Sequence, residues 1–123
     1  MKLTRLLEFC RAQPEATEGY PFGPGVLVFK VYEKIFAIIA EAQDPLRVSL
    51  KCEPLIAQAV RQEYPAVTGG YHLNKRHWNT VELDGSVEEW LIGEWIEDSW
   101  DLVVEKLPRE QQRRLRWLAE SDA

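Results

Sequence analysis

The sequence predicts a two-layer α+β sandwich, one antiparallel sheet with helices across one of its faces. Two observations carry this. Three strand-like runs follow one another between residues 26 and 51 with connections of hairpin length, which requires antiparallel pairing. Segments with a helical apolar period flank them at residues 3–13, 54–64 and 86–107. At 123 residues the chain makes one domain, 1–123, with enough core to fold without metal or disulfide staples.

The elements follow in order. Leu3, Leu6, Leu7 and Cys10 fall at i, i+3, i+4 and i+7, a single apolar stripe on a helix that Pro14 ends. Residues 15–25 hold Pro21, Gly23, Pro24 and Gly25 and read as a loop, with Tyr20 and Phe22 expected to tuck onto the core. Residues 26–32 alternate, with Leu27, Phe29 and Val31 on one face and Val28, Lys30 and Tyr32 on the other. Glu33 sits in a tight connection. Residues 34–40 are almost wholly apolar and predict a central strand. After an Asp44-Pro45 turn, Leu46, Val48 and Leu50 point inward and Arg47, Ser49 and Lys51 outward.

Pro54 suits the first turn of a helix, where its missing N–H costs nothing. That helix is expected to bury Ile56, Val60 and Tyr64 and to stop at Pro65. A polar segment with Gly69 and Gly70 leads into a strand over 78–84, with Val81 and Leu83 inward and Trp78, Thr80 and Glu82 outward. Ser86 and Glu89 have the spacing of a capping box opening a long helix over 86–107 that buries Ile92, Ile96, Val103 and Leu107. A short basic helix, 109–118, follows Pro108. Trp90, Gly93, Trp100 and Val104 share a flank of the long helix, which Leu115, Trp117 and Leu118 are expected to cover; Gly93 would let another element come close. The sheet face away from the helices would show Lys30, Arg47, Ser49, Lys51, Trp78 and Thr80.

Lys plus Arg number 15 and Asp plus Glu 20, a net charge of −5 that repels nucleic acid and anionic membrane at long range. The charge is uneven. Nine acidic residues and no basic one lie between Glu82 and Glu105, and the remainder of the chain is net positive. The two cysteines, Cys10 and Cys52, are expected to be reduced thiols in a cytoplasmic protein. The N-terminus lacks the apolar run of a signal peptide, and no stretch approaches the ~20 apolar residues of a membrane span, so no membrane partner is expected.

Several blocks occur in one order: Pro21-Phe22-Gly23, residues 28–31 (Val-Phe-Lys-Val), 34–37 (Lys-Ile-Phe-Ala), 48–52 (Val-Ser-Leu-Lys-Cys), 64–67 (Tyr-Pro-Ala-Val), 70–81 from Gly70 to Val81, and 98–103 from Asp98 to Val103. Over residues 3–107 they resemble the MmcQ/YjbR family of small bacterial proteins. Glu33 stands where that pattern has a glycine, and Glu53 where an aspartate cap is usual. The resemblance implies an antiparallel sheet with helices on one side, similar to secretion chaperones and frataxin-like domains. It also implies a DNA-binding role through a double wing of β-hairpins.

The residues offer a matching candidate. Tyr71, His72, Asn74, Lys75, Arg76, His77 and Trp78 combine cations for phosphates, planar groups for stacking and an amide for base edges, with no carboxylate from Thr68 to Val81. Lys30, Arg47 and Lys51 on the outer face would extend the surface. The alternative is a protein-interaction module using the open sheet face or the tryptophan-bearing helix. His72 and His77 have a spacing zinc tolerates, but Cys10 and Cys52 lie in separate elements with no C-x₂-C, and Glu94, Glu97, Asp98 and Asp101 read as a solvated helix face, so neither metal nor cofactor is expected. No nucleotide-binding or hydrolase motif occurs, and a non-enzymatic protein is expected. Oligomeric state is not legible.

Overall fold

The computed structural model describes residues 1–70 and 73–121. In chain order these form α1 (Leu3–Arg11), β1 (Ala16–Gly19), β2 (Val26–Val31), β3 (Lys34–Ala40), β4 (Arg47–Lys51), α2 (Pro54–Glu63), β5 (Val67–Gly69), β6 (Trp78–Glu82), α3 (Glu89–Val104) and α4 (Arg109–Ser121). The strands make one sheet, ordered β1-β2-β3-β4-β6-β5, with every neighbouring pair antiparallel.

One face of the sheet carries the core. Leu27, Phe29 and Val31 of β2, Ala37 and Ile39 of β3, Val48 and Leu50 of β4, and Val81 of β6 join a single buried cluster. Ile92, Ile96 and Val103 of α3, Leu6 and Cys10 of α1, and Leu115 of α4 complete it. The period-2 pattern of the strands thus meets the 3.6 period of the helices, as the alternation predicts. β3 is a central strand, and the predicted antiparallel α+β sandwich stands.

The sheet is larger than expected, because β1 and β5 are strands rather than loop. β1, the polar run Ala16-Thr17-Glu18-Gly19, pairs along its whole length with β2, from Ala16 opposite Val31 to Gly19 opposite Val28. An Arg11–Glu18 ion pair, with N–O distances of 2.6 and 2.9 Å, ties it to α1. β2 and β3 are joined through Tyr32 and Glu33, and Tyr32 takes the positive φ of 53° that the tight turn needs.

Four local expectations are corrected. Tyr20 and Phe22 are 50% and 64% exposed instead of tucked onto the core. Ile56 is exposed and Ala57 is the buried residue of α2, because the helix turns its small-residue edge to the sheet. No capping box forms: Ser86 N–H and Oγ–H both donate to Asp84 Oδ1, at 2.9 and 2.6 Å, and α3 starts only at Glu89. The flank of α3 at Gly93 and Trp100 meets α1 and Pro14, where α4 alone was expected. A Cβ on Gly93 would stand 2.6 Å from Phe9 Cε1, and Trp100 Nε1–H donates to Pro14 O at 3.1 Å.

Candidate functional site

Between β5 and β6, the described residues 70 and 73–77 are tightly held. Gly70 lies against Trp78 so closely that a Cβ would meet the Trp78 Cβ at 2.7 Å, which only glycine permits. Gly70 N–H donates to Trp78 O, and the Asn74 carbonyl accepts the amides of His77 and Trp78. Asn74 Oδ1 accepts the Arg76 amide at 2.9 Å, an Asx turn, so this side chain shapes the loop. His77 is half-buried and its carbonyl accepts the Cys52 amide at 2.8 Å. The predicted residues Tyr71 and His72 lie outside the described residues.

Arg61 of α2, which sequence reasoning missed, anchors this loop. Its Nε–H donates to Asn79 Oδ1 at 2.6 Å, and its Nη2 donates to the carbonyls of Trp78 and Lys75. Asn79 Nδ2 in turn reaches Ala57 O. Lys75 and Arg76 are both exposed. The Lys75 stem lies over Gly69 and its ammonium donates back to Gly70 O at 3.4 Å.

Of the other predicted cations, Lys51 borders this loop and Lys30 and Arg47 do not. Lys30 pairs with Ile35 and Lys51 with Trp78, whereas Arg47 sits at the far end of its strand beside Glu82. Arg47 and Lys51 are four residues apart on β4, about 13 Å. Arg47 Nη2 donates to Glu82 Oε1 at 3.1 Å, and its Nε is buried without a partner. Lys30 lies among Thr17, Tyr32 and Glu33 on the β1 side of the sheet.

Between these cations the outer face is apolar. A concavity of about 510 Å³ is lined by Val26, Ile38 and Ala40 on its floor and by Phe22 and Leu73 on its flanks, with Gln43, Arg47, Ser49 and Thr80 beside them. Ser49 and Thr80 face each other across β4 and β6 with their hydroxyls 2.8 Å apart, so the polar part of the floor is satisfied internally. Phe22 projects from the β1–β2 connection, where Gly23 and Gly25 take φ of +105° and +88°. The composition of β2 and β3, apolar on both faces, was the signal for this groove: a strand with two apolar faces expects both to be covered.

A second, smaller cleft of about 60 Å³ lies between α2, α3 and the core face, with Cys52, Trp95 and Asp98 among its lining. Burial, then the Asp98 and Glu53 charges, push the Cys52 thiol above its ordinary range, the opposite of an activated nucleophile. Among the described residues no three His, Cys, Asp or Glu side chains are placed to hold a metal ion, and no helix is long and apolar enough to cross a membrane.

The YjbR family model matches residues 11–102, most of the chain. This chain belongs to the YjbR family. It is 35% identical over 115 residues to the uncharacterised protein YjbR of Escherichia coli (strain K12), covering 94% of this chain and 98% of that one. It is 39% identical over 97 residues to the uncharacterised protein YbdF of Escherichia coli O157:H7, covering 79% and 80%. Among solved structures, the crystal structure of Deinococcus radiodurans protein DR2400, with a DUF419 domain, superposes at a TM-score of 0.84 with 40% identity, over 89% of this chain and 84% of that one. A Pseudomonas syringae protein superposes at 0.72 with 27% identity, over 83% and 98%. In this YjbR-family fold, then, the covered face builds the core and the uncovered face carries the groove.

Proposed function

We propose that this chain is a non-enzymatic protein-interaction module whose outer sheet face receives apolar side chains of a partner polypeptide. One observation carries this: the 510 Å³ groove between Phe22 and Leu73, on the sheet face opposite the core. Its volume falls in the range of about 300–1,000 Å³ typical of ligand sites, and exposed contiguous apolar surface on a small domain marks binding. The Arg47 guanidinium on the rim favours a partner segment with a carboxylate next to its apolar residues. Among the described residues that line the groove, none is arranged as a nucleophile and base.

The test is selection of displayed peptides on the intact protein, with counter-selection on Ile38→Lys. Selected peptides are expected to combine aromatic or branched apolar residues with an acidic one. Phe22→Ala is expected to weaken them about tenfold or more, the scale of an aromatic anchor. Peptides that bind Ile38→Lys equally well would overturn the proposal.

Nucleic-acid binding through the 70–80 segment is the second proposal, and the anchored loop presenting exposed Lys75 and Arg76 favours it. It ranks below the first because, of the outer-face cations, Lys51 alone borders that loop, while Lys30 and Arg47 lie away from it. Fluorescence anisotropy with duplex and single-stranded oligonucleotides near 50 mM salt tests it. Lys75→Ala with Arg76→Ala should lower the salt slope by about two. Absence of saturable binding ends it.

A further inference from the structure

α4 carries a stripe of charge with no ion-pair partner among the described residues. Arg109, Arg113 and Arg116 fall at i, i+4 and i+7 on one exposed face of the helix, with Glu120 one turn beyond. With Gln112 and Glu105 the three arginines line an open cleft of about 660 Å³ at the α3–α4 turn. The ion pairs among the described residues are Arg5–Glu8, Arg5–Glu89, Arg11–Glu18 and Arg47–Glu82, and none of them involves these arginines.

α3 carries the complementary stripe. Glu94, Glu97, Asp98, Asp101 and Glu105 are all exposed within one arc of the helix, headed by Trp90, and none is in an ion pair either. Acids crowd the C-terminal half of α3, which has no basic residue in its last turn, against that helix's dipole, and Arg109 opens α4 beside Glu110. Like charges at i, i+4, such as Glu97 with Asp101 and Arg109 with Arg113, destabilise the helices that carry them in the separate chain.

The two stripes also match in spacing. Arg109, Arg113 and Arg116 advance by four and then three residues. Asp101, Glu97 and Glu94, taken backwards along α3, retreat by four and then three. Both steps are rises of about 6 and 4.5 Å. Only antiparallel helices bring such series into register, and that orientation also opposes the two helix dipoles. We propose that two copies of this chain associate with α4 of each docked antiparallel on α3 of the other, pairing Arg109 with Asp101, Arg113 with Glu97 and Arg116 with Glu94. A two-fold axis makes the two contacts identical, so one complementary pair of stripes is used twice. Trp90 and Trp117, 61% and 65% exposed, lie at the ends of the stripes and supply apolar area to the same interface. The outer-face groove plays no part in this contact.

Sedimentation velocity on the full chain tests the proposal. In about 50 mM salt a concentration-dependent dimer is expected, and raising the salt to about 500 mM should weaken it tenfold or more, because surface charges are then screened within a few ångströms. Arg113→Glu and Glu97→Arg, both at exposed positions, should each be monomeric alone. An equimolar mixture of the two should restore a heterodimer, since the reversed charges meet at one of its two contacts. A wild-type chain that stays monomeric at about 100 μM in low salt, where such pairs act most strongly, overturns the proposal. So does a dimer that both single variants leave intact, or a mixture that stays monomeric.

Discussion

Arg61 donates to the Asn79 side chain at 2.6 Å, and this contact between α2 and β6 fixes the start of the strand and the loop before it. The same guanidinium also holds the carbonyls of Lys75 and Trp78. Only a planar, multi-donor group serves three acceptors in this way. Arg61→Ala is therefore expected to cost about 1–3 kcal/mol, the range for leaving polar groups unpaired. Arg61→Lys should recover little of it. Urea denaturation measures the loss, and faster amide exchange at His77 and Trp78 should accompany it. Unchanged exchange at those two amides would contradict the anchoring role.

Ser99, fully buried in α3, bonds two strands at once. Its hydroxyl donates to Phe36 O at 2.6 Å and accepts the Lys51 amide at 2.9 Å. Phe36 lies where the β2–β3 register shifts, between Ile35 opposite Lys30 and Ala37 opposite Phe29, so the bulge removes it from the regular ladder. Ser99→Ala leaves a buried carbonyl and a strand-end amide without this partner and should destabilise by about 1–3 kcal/mol. A shift in the urea midpoint at constant slope is the measurement, and a variant as stable as wild type would show that neither bond matters.

Gly93 sets two opposing effects against each other. Alanine there gains up to about 1 kcal/mol of helix propensity. Its Cβ, however, would stand 2.6 Å from Phe9 Cε1, and Arg5 lies over that same ring at 4.4 Å. Overpacking of this kind costs about 1–3 kcal/mol, so Gly93→Ala is expected to be net destabilising. In a Phe9→Leu background the same substitution should become neutral or stabilising. A thermal-melt cycle of the four proteins checks the change of sign.

The sequence announced the covered face of this fold more plainly than the open one, which only the two apolar faces of β2 and β3 signalled. Leu27, Phe29, Val48, Leu50 and Val81 could be placed because alternation is a local signal with one buried side. β1 and β5 could not, because Ala16-Thr17-Glu18-Gly19 and Val67-Thr68-Gly69 hold their strands by ladder bonds to β2 and β6 and not by their own propensity. The Ser86–Glu89 spacing misled because Asp84 is nearer, and Gly85 with φ of +90° lets the turn close on it. Arg61 lies 18 residues before Asn79, and no period links them. Phe22 and Leu73 come from two loops that meet only across the folded sheet.

The two thiols should differ in reactivity. Cys10 is buried, and desolvation with the Glu18 charge pushes its thiol up to about 12 against the smaller pull of Arg11. At pH 8 roughly one part in ten thousand is then thiolate, the only reactive form. Cys52 is half-buried and also raised, but it borders an open cleft. A disulfide-exchange titration in native buffer should modify Cys52 first, with Cys10 reacting only at the rate of unfolding. Equal rates for the two would show that the α1–core contact opens readily.

Asp101 gives a test by pH. Burial, followed by the charges of Asp98 and Glu105, raises its carboxyl above the ordinary value. A raised folded-state pKa means that the ionised form is worse off in the fold than in the unfolded chain. The group is therefore harmless below its unfolded pKa and reduces stability as pH rises through the folded value. Asp101→Asn should stabilise the dilute, separated chain near neutral pH. Because the side chain is largely exposed, solvent screening limits the gain to a few tenths of a kcal/mol. The gain should shrink as pH falls through the Asp101 range and should shrink again in high salt. Paired urea titrations of the two proteins across that pH range measure it. A gain independent of pH would assign the effect to helix propensity, and a loss of stability at neutral pH would mean that Asp101 has a cationic partner within its own chain.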